Sequence, residues 1–293
     1  MFYKNRLPMS YYLYRVKWWW CEHSYWIPKV PLHLDLELTN QCNLSCIMCR
    51  HGINPDSNQG QMDFEFAKSL IDQAVDIGIY SVKFQFRGES ALYKKLEKLI
   101  IYSKNKGIHH TQLNTNLVAF NKERLIQICE SGLDRLIISI DGATSGTYEK
   151  IRVGAKWSRL VYLLGVIRLI DIKPIIRIQM VHQDLNNQEI DTFLGKFRHL
   201  CNELHIKTVR DANQGGARKS CAQPRQRIVV SWNGDVFGCC NAWYNESFVG
   251  RISDTFTLKS IWNSAEFKKL RKNAKNPNSA EPCKSCLVSG SYK

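Results

Sequence analysis

The chain has 293 residues, 44% of them hydrophobic and 23% charged. At roughly 150 residues per domain this is about two domain lengths, with an ordinary globular composition that excludes wholesale disorder. Lys and Arg number 41 against 26 Asp and Glu, a formal net charge of +15, which favours a polyanion, a membrane surface or a small anionic molecule as partner without specifying a fold.

Residues 1–30 form a distinct leader. It holds Trp18, Trp19, Trp20 and Trp26, with Lys4, Arg6, Arg15, Lys17 and Lys29 set against the single acid Glu22. The cations interrupt any signal-peptide core, and no apolar run reaches the ~18 residues of a membrane-crossing helix. A cytoplasmic, reducing location is therefore the expectation. Aromatic and basic residues in this mixture suit either a helix lying at a membrane interface or a segment packed over the end of a barrel, and the burial habits of aromatic side chains favour the second.

From residue 31 strand and helix alternate. Strands are expected at 32–39, 80–86, 108–114, 134–140, 174–181 and 203–208, and helices at 62–77, 91–105, 120–131, 157–171 and 187–200, a parallel β/α arrangement. Leu32, Leu34, Leu36 and Leu38 alternate with His33, Asp35, Glu37 and Thr39; Val82, Phe84 and Phe86 alternate with Lys83, Gln85 and Arg87. Strands buried on both faces read as continuous apolar runs; these read as strands with one face on helices and the other on a wet, polar lumen. The expected fold is α/β, a partial (β/α)6 TIM-like barrel over 31–215 with a cationic interior to which Lys83, Arg87, Arg177 and Lys207 contribute. Pairing with Asp35, Glu37 and Glu203 is the competing account of those cations. Residues 216–293 form a small C-terminal domain in which Arg227 to Trp232, followed by Asn233-Gly234, signals a hairpin.

Eleven cysteines in a reducing compartment imply metal binding or catalysis rather than disulfides. Cys42, Cys46 and Cys49, spaced CxxxCxxC directly after the first strand, suit three irons of a cubane [4Fe–4S] cluster whose fourth iron stays open; a zinc site completed by His51 is the alternative. Cys221, Cys239, Cys283 and Cys286 form a second set, which by count alone completes either a cubane or a structural zinc. Cys240 adjoins Cys239 and competes with it as a ligand.

The segment LELTNQCNLSCIMC, with Met48 before the third cysteine, resembles the first strand and cluster loop of the radical S-adenosylmethionine (SAM) superfamily. Arg87-Gly88-Glu89-Ser90 is similar to that family's Gly-Gly-Glu motif, with Arg87 replacing the first glycine. Asn116 follows the third strand, Ser139 and Asp141 end the fourth in SIDG, and Arg152 follows in YEKIR, each at a position similar to a family contact with SAM. The spacing of Cys221, Gly234, Cys239, Cys283 and Cys286 resembles the twitch domain, a shortened SPASM domain, of sugar-alcohol dehydrogenases within the superfamily.

The resemblance implies a [4Fe–4S] cluster on Cys42, Cys46 and Cys49 that chelates S-adenosyl-L-methionine, and an auxiliary [4Fe–4S] cluster on four cysteines. SAM contacts then fall to Met48, Gly88, Glu89, Asn116, Ser139, Asp141 and Arg152. It implies an oxidoreductase in which a 5′-deoxyadenosyl radical takes a hydrogen atom from a small polar or anionic molecule such as a sugar, sugar alcohol or nucleotide sugar. The auxiliary cluster then accepts an electron, and a low-potential donor such as flavodoxin or ferredoxin is the redox partner. Cys201 and Cys240 are candidate hydrogen-atom donors. A peptide-modifying maturase or epimerase is the rival enzyme, and an iron–sulfur carrier the non-enzymatic one. No specific nucleic-acid site is expected: the basic tail segment lacks interleaved aromatics.

Overall fold

The computed structural model describes residues 8–171, 173–208, 220–240, 247–277, 281 and 283. Helix α1 (Met9–His23) precedes β1 (His33–Leu36), from which a loop and the single-turn α2 (Arg50–Ile53) lead to α3 (Phe64–Asp76). Strand and helix then alternate through β2 (Ser81–Phe84), α4 (Leu96–Lys106), β3 (His110–Thr115), α5 (Lys122–Glu130), β4 (Arg135–Ser139), α6 (Ser145–Ile151), α7 (Trp157–Leu169), β5 (Ile175–His182), α8 (Ile190–Phe197) and β6 (Glu203–Thr208). Capping residues set the helix starts: the side chains of Asp63, Asn121 and Thr144 accept backbone N–H bonds at the heads of α3, α5 and α6, satisfying donors that the helix itself leaves free.

β1 to β6 are parallel and neighbour one another in sequence order. Leu34, Leu36, Val82, Phe84, Leu136, Ile138, Ile176 and Ile178 are buried in one hydrophobic core with the helices. The alternate residues turn inward. Register sets Asp35 beside Lys83 and Gln112 beside Arg135, so the polar lumen expected from the alternation is the one formed.

The C-terminal chain adds α9 (Gln223–Gln226), β7 (Arg227–Val230), β8 (Asp235–Phe237), β9 (Phe248–Arg251), α10 (Leu258–Trp262) and α11 (Ala265–Lys275). β7 and β8 form the expected antiparallel hairpin, with Gly234 at φ +87° in its turn, a conformation open to glycine. β7 also pairs in parallel with β1, His33 opposite Arg227. The order β6-β5-β4-β3-β2-β1-β7-β8-β9 therefore carries one sheet from the partial barrel into the C-terminal domain.

Helix α1 lies against the N-terminal ends of the strands. Tyr11 meets His110 at 5.2 Å and Trp18 meets His33 edge-on at 5.8 Å, while Arg225 donates to Cys21 O and Gln226 to Trp18 O. Tyr11, Tyr14, Trp18 and Cys21, spaced three and four apart, supply this inward face, as one stripe of a helix must. Packing over the barrel end is what the structure shows. Among the described residues no helix is long and apolar enough to cross a membrane.

Candidate active site

The loop after β1 is pinned to its neighbours by backbone bonds. Ser45 N donates to Val153 O and Ile47 N to Ile151 O, and Glu89 N donates to Gln41 O at 2.8 Å. Cys42, Cys46 and Cys49 are free thiols on this loop. Burial pushes the Cys42 thiol up to about 12, and Glu89, Cys46 and Cys49 beside it act in the same direction. A buried thiol that resists ionising alone is a group whose proton leaves when a metal centre binds.

Arg152 sits against this loop, Nη1 4.0 Å from Cys46 Sγ and Nη2 2.6 Å from Asp141 Oδ2. Burial opposes its charge, but Asp141, then Cys46 and Tyr148, hold the guanidinium above its usual value. Arg152 Nε, Asn116 Oδ1 and the Tyr148 hydroxyl are buried without a hydrogen-bond partner among the described residues. Unpartnered buried polar atoms cost free energy and call for an explanation. Gathered at the C-terminal ends of the strands, where parallel β/α barrels carry their chemistry, they fit a polar cofactor seated beside three thiols.

Glu89 is committed inside the protein: its carboxylate accepts from Ala91 N (3.0 Å), Thr115 Oγ1 (2.7 Å) and Asn116 N (2.7 Å). Burial raises its pKa against the pull of these donors. The side chain thus locks the end of β2 to the end of β3. Asn116 Nδ2 donates to Asn43 Oδ1 of the cysteine loop, and Ser139 accepts from Gln179. Met48 packs half-buried against the core.

At Gly88 a Cβ would stand 2.2 Å from Thr39 O and 2.6 Å from Gln41 O. Gly88→Ala is therefore expected to displace the cysteine loop, costing about 1–3 kcal/mol and lowering iron uptake. Wild-type melting and iron content in this variant would show that the close approach is not required.

The lumen corrects part of the charge expectation. Arg87 is held by Glu37 (2.8 Å) and Asp56 (3.3 Å), and Arg177 Nε by Glu203 (2.6 Å), which also takes Arg135. Asp35 is engaged by Arg227 (2.9 Å), His33 (3.4 Å) and Gln85 (3.0 Å). Burial alone would raise its pKa; Arg227 and His33 overcome that and hold it well below the carboxylate range. Lys83 and Lys207 are left with no ion pair among the described residues. Burial brings Lys83 down to about 7 and lowers Lys207 as well. Arg227, which local patterning did not single out, enters the lumen because β7 pairs with β1.

The two candidate thiols separate. Cys240 faces the lumen, its Sγ 3.6 Å from Arg227 Nη1 and 3.6 Å from Gln223 Oε1, with Lys83, Lys207 and Asp35 among its electrostatic neighbours. Cys201 is a correction: it lies just before β6, buried at the opposite, N-terminal end of the strands, where its thiol donates to Phe197 O. His51, the alternative fourth ligand, has Asp56, Glu37 and Arg87 as its charged neighbours. Among the described residues no three His, Cys, Asp or Glu converge as on a single metal ion. Of the second cysteine set, Cys221 is anchored by its N–H to Ala274 O of α11 and Cys239 follows β8. Cys283 is described, and Cys286 lies outside the described residues.

A sequence profile described as the radical SAM superfamily matches residues 36–196, more than half of the chain. The chain belongs to the radical SAM superfamily. A second profile, an iron–sulfur cluster-binding domain of the SPASM type, matches residues 221–287. Domains of these two kinds bind [4Fe–4S] clusters and SAM, and a radical SAM enzyme works by cleaving SAM. The chain is 23% identical over 262 residues to the S-adenosyl-L-methionine-dependent 2-deoxy-scyllo-inosamine dehydrogenase of Niallia circulans, covering 86% of this chain and 91% of that protein. It is 28% identical over 122 residues to the PqqA peptide cyclase of Bradyrhizobium diazoefficiens, where the match spans 42% of this chain and only 32% of that protein. Among solved structures, the crystal structure of BtrN in complex with AdoMet and 2-DOIA superposes with a TM-score of 0.63 at 21% identity, covering 88% of this chain and 93% of that one; at that identity the likeness is one of fold.

Proposed function

We propose that this radical SAM oxidoreductase oxidises a small anionic polyol, of the sugar or nucleotide-sugar class, held in the barrel lumen. One observation carries the reading. Asp35, Glu37 and Glu203 of the lumen are each committed to an arginine, and Asp35 also to a histidine, while Lys83 and Lys207 are half-buried with no counter-ion among the described residues. A buried cation without a partner is costly, and an anionic ligand would supply the missing charge. The match to the dehydrogenase along 91% of that protein's length supports a polyol as the substrate class, and the anionic charge rests on the two lysines alone.

Cys42, Cys46 and Cys49 are the residues that would hold the SAM-binding cluster, and Cys221, Cys239, Cys283 and Cys286 the auxiliary one. When bound, these groups supply a hydrogen-atom abstractor and a one-electron acceptor. The chain's own contribution is orientation and seclusion. Arg152, fixed by Asp141, presents a cation beside the cysteine loop for the SAM carboxylate. Glu89 holds β2 to β3 and retains capacity on Oε2 for a further donor. Lys83 and Lys207 fix the anionic end of the substrate. The position of the Cys240 thiol beside Arg227 and Gln223 supports Cys239 as the auxiliary-cluster ligand and Cys240 as the hydrogen-atom donor.

Anaerobic incubation with SAM, dithionite and a panel of phosphorylated polyols tests this. Expected are about eight irons per chain, for two four-iron clusters, 5′-deoxyadenosine, and a ketone or aldehyde in equal amount. Deuterium incorporated at a peptide α-carbon, with no carbonyl product, would instead establish the peptide-modifying reading. Iron near four with bound zinc would refute the auxiliary cluster.

A further inference from the structure

Helix α1 has a second apolar face that the barrel does not use. Its inward stripe is Tyr11, Tyr14, Trp18 and Cys21. On the opposite side Met9, Tyr12, Leu13, Val16, Trp19 and Trp20 are each at least half exposed, and at 100° per residue they form one continuous stripe about 120° to 180° away from the centre of the packed one. The surface continues beyond the helix, where Trp26 meets Trp20 edge-on at 6.2 Å and Ile27 is exposed. A helix apolar all round is normally covered on every side, and contiguous exposed patches of this kind mark interaction sites.

Charge decides the occupant. Arg15 falls on one flank of the outer stripe and Lys17 on the other, and both are exposed. No exposed carboxylate lies between residues 8 and 29: the one acid, Glu22, accepts from Trp18 Nε1 at 2.9 Å and is partly buried. Tryptophan and tyrosine on the apolar face, with long cations at its margins, are what a helix lying in the headgroup plane of a bilayer presents, the cation stems following the apolar surface while the charges reach outward. A second copy of this chain is a poor alternative. A two-fold contact over α1 sets Arg15 and Lys17 of one copy against those of the other, and like charges across an interface oppose association.

We infer that the outer face of α1 docks the protein on an anionic phospholipid surface. The packing of α1 fixes the orientation. The helix lies under His33, His110 and Arg135, the first residues of β1, β3 and β4. Docking therefore turns the N-terminal end of the barrel to the lipid and the C-terminal mouth, with the cysteine loop, toward water. The enzyme would work at the membrane on a substrate that reaches it from solution. This inference stands independently of the substrate proposed above.

The test is flotation of the full-length protein with vesicles of phosphatidylcholine alone or with phosphatidylglycerol. Expected is retention on the anionic vesicles that falls as salt is raised, with tryptophan emission quenched by bromine-labelled acyl chains. Trp19→Ser with Trp20→Ser should weaken partitioning about tenfold or more, leaving the melting temperature and SAM cleavage unchanged. Arg15→Gln with Lys17→Gln should narrow the preference for anionic over neutral vesicles. Absence of flotation and of quenching in the wild type would overturn the inference. So would a lipid-free dimer that the tryptophan substitutions dissociate, since that assigns the face to a second copy.

Discussion

Cys46→Ser is expected to abolish 5′-deoxyadenosine formation and to reduce bound iron from about eight to about four per chain, with the fold intact. Cys46 is the buried member of its trio, and Arg152 Nη1 lies 4.0 Å from its sulfur. Serine has nearly the same volume but offers a hard alkoxide ligand where iron–sulfur chemistry uses a soft thiolate. The loop itself does not depend on the thiol. Ser45 N–H to Val153 O, Ile47 N–H to Ile151 O and Cys49 N–H to Cys46 O are backbone bonds that survive the substitution, as does the close packing of Gly52 against the Cys46 backbone. Far-ultraviolet circular dichroism should therefore be unchanged while SAM cleavage disappears. Iron analysis and chromatography of anaerobic reactions check both halves. Retained cleavage with half the iron would move the SAM-binding cluster to the C-terminal cysteines and dismantle the site described here.

What the sequence made legible, and what it did not, follows from the range of the interactions concerned. The two-residue alternation of His33, Asp35 and Glu37 with Leu34, Leu36 and Leu38 is local, so the polar lumen and the outward core faces could be read directly, as could the hairpin at Asn233-Gly234. The allocation of charge was not local. Glu37 and Arg87 are 50 residues apart, and Asp35 and Arg227 are 192 apart. Which carboxylate takes which cation depends on strand register, and on β7 joining β1, which no periodicity records. Thiol chemistry alone does not place Cys201: the residue precedes β6, and barrel chemistry sits after the strands. Glu89 shows the converse. Its place in the motif was readable, but its three internal bonds, which make it a fastener between β2 and β3, appear only when both strand ends are present.

Lys83→Met is expected to stabilise the protein near neutral pH while disabling it. Lys83 faces Asp35, Lys207, Arg227 and Cys240, and His33 lies within their reach. Asp35 is occupied by Arg227 and His33, so the ammonium is buried among more cations than free anions, and burial lowers its pKa from 10.5 to about 7. The sign follows from proton counts. Between about pH 7 and 10.5 the unfolded chain holds this proton and the folded one has released it, so stability rises with pH across that window; below pH 7 both states are protonated and the full cost of burying the charge remains. Methionine has a similar length and no charge. At pH 6.5 it should add on the order of 3 kcal/mol, a rise of roughly 6–12 °C in melting temperature for a chain of this size, and the alkaline rise should vanish. Turnover of an anionic substrate should fall roughly tenfold to a hundredfold in kcat/KM, the worth of one hydrogen bond to a charged group, with SAM binding retained. In the wild type, affinity for the anion should decline as pH passes upward through 7, as the ammonium loses its proton, and Lys83→Arg should extend binding to higher pH. A natural protein that keeps an unpaired cation at a cost in stability is keeping it for function. A Lys83→Met enzyme that is both more stable and fully active would remove the anion from the lumen and leave a neutral polyol as the substrate class.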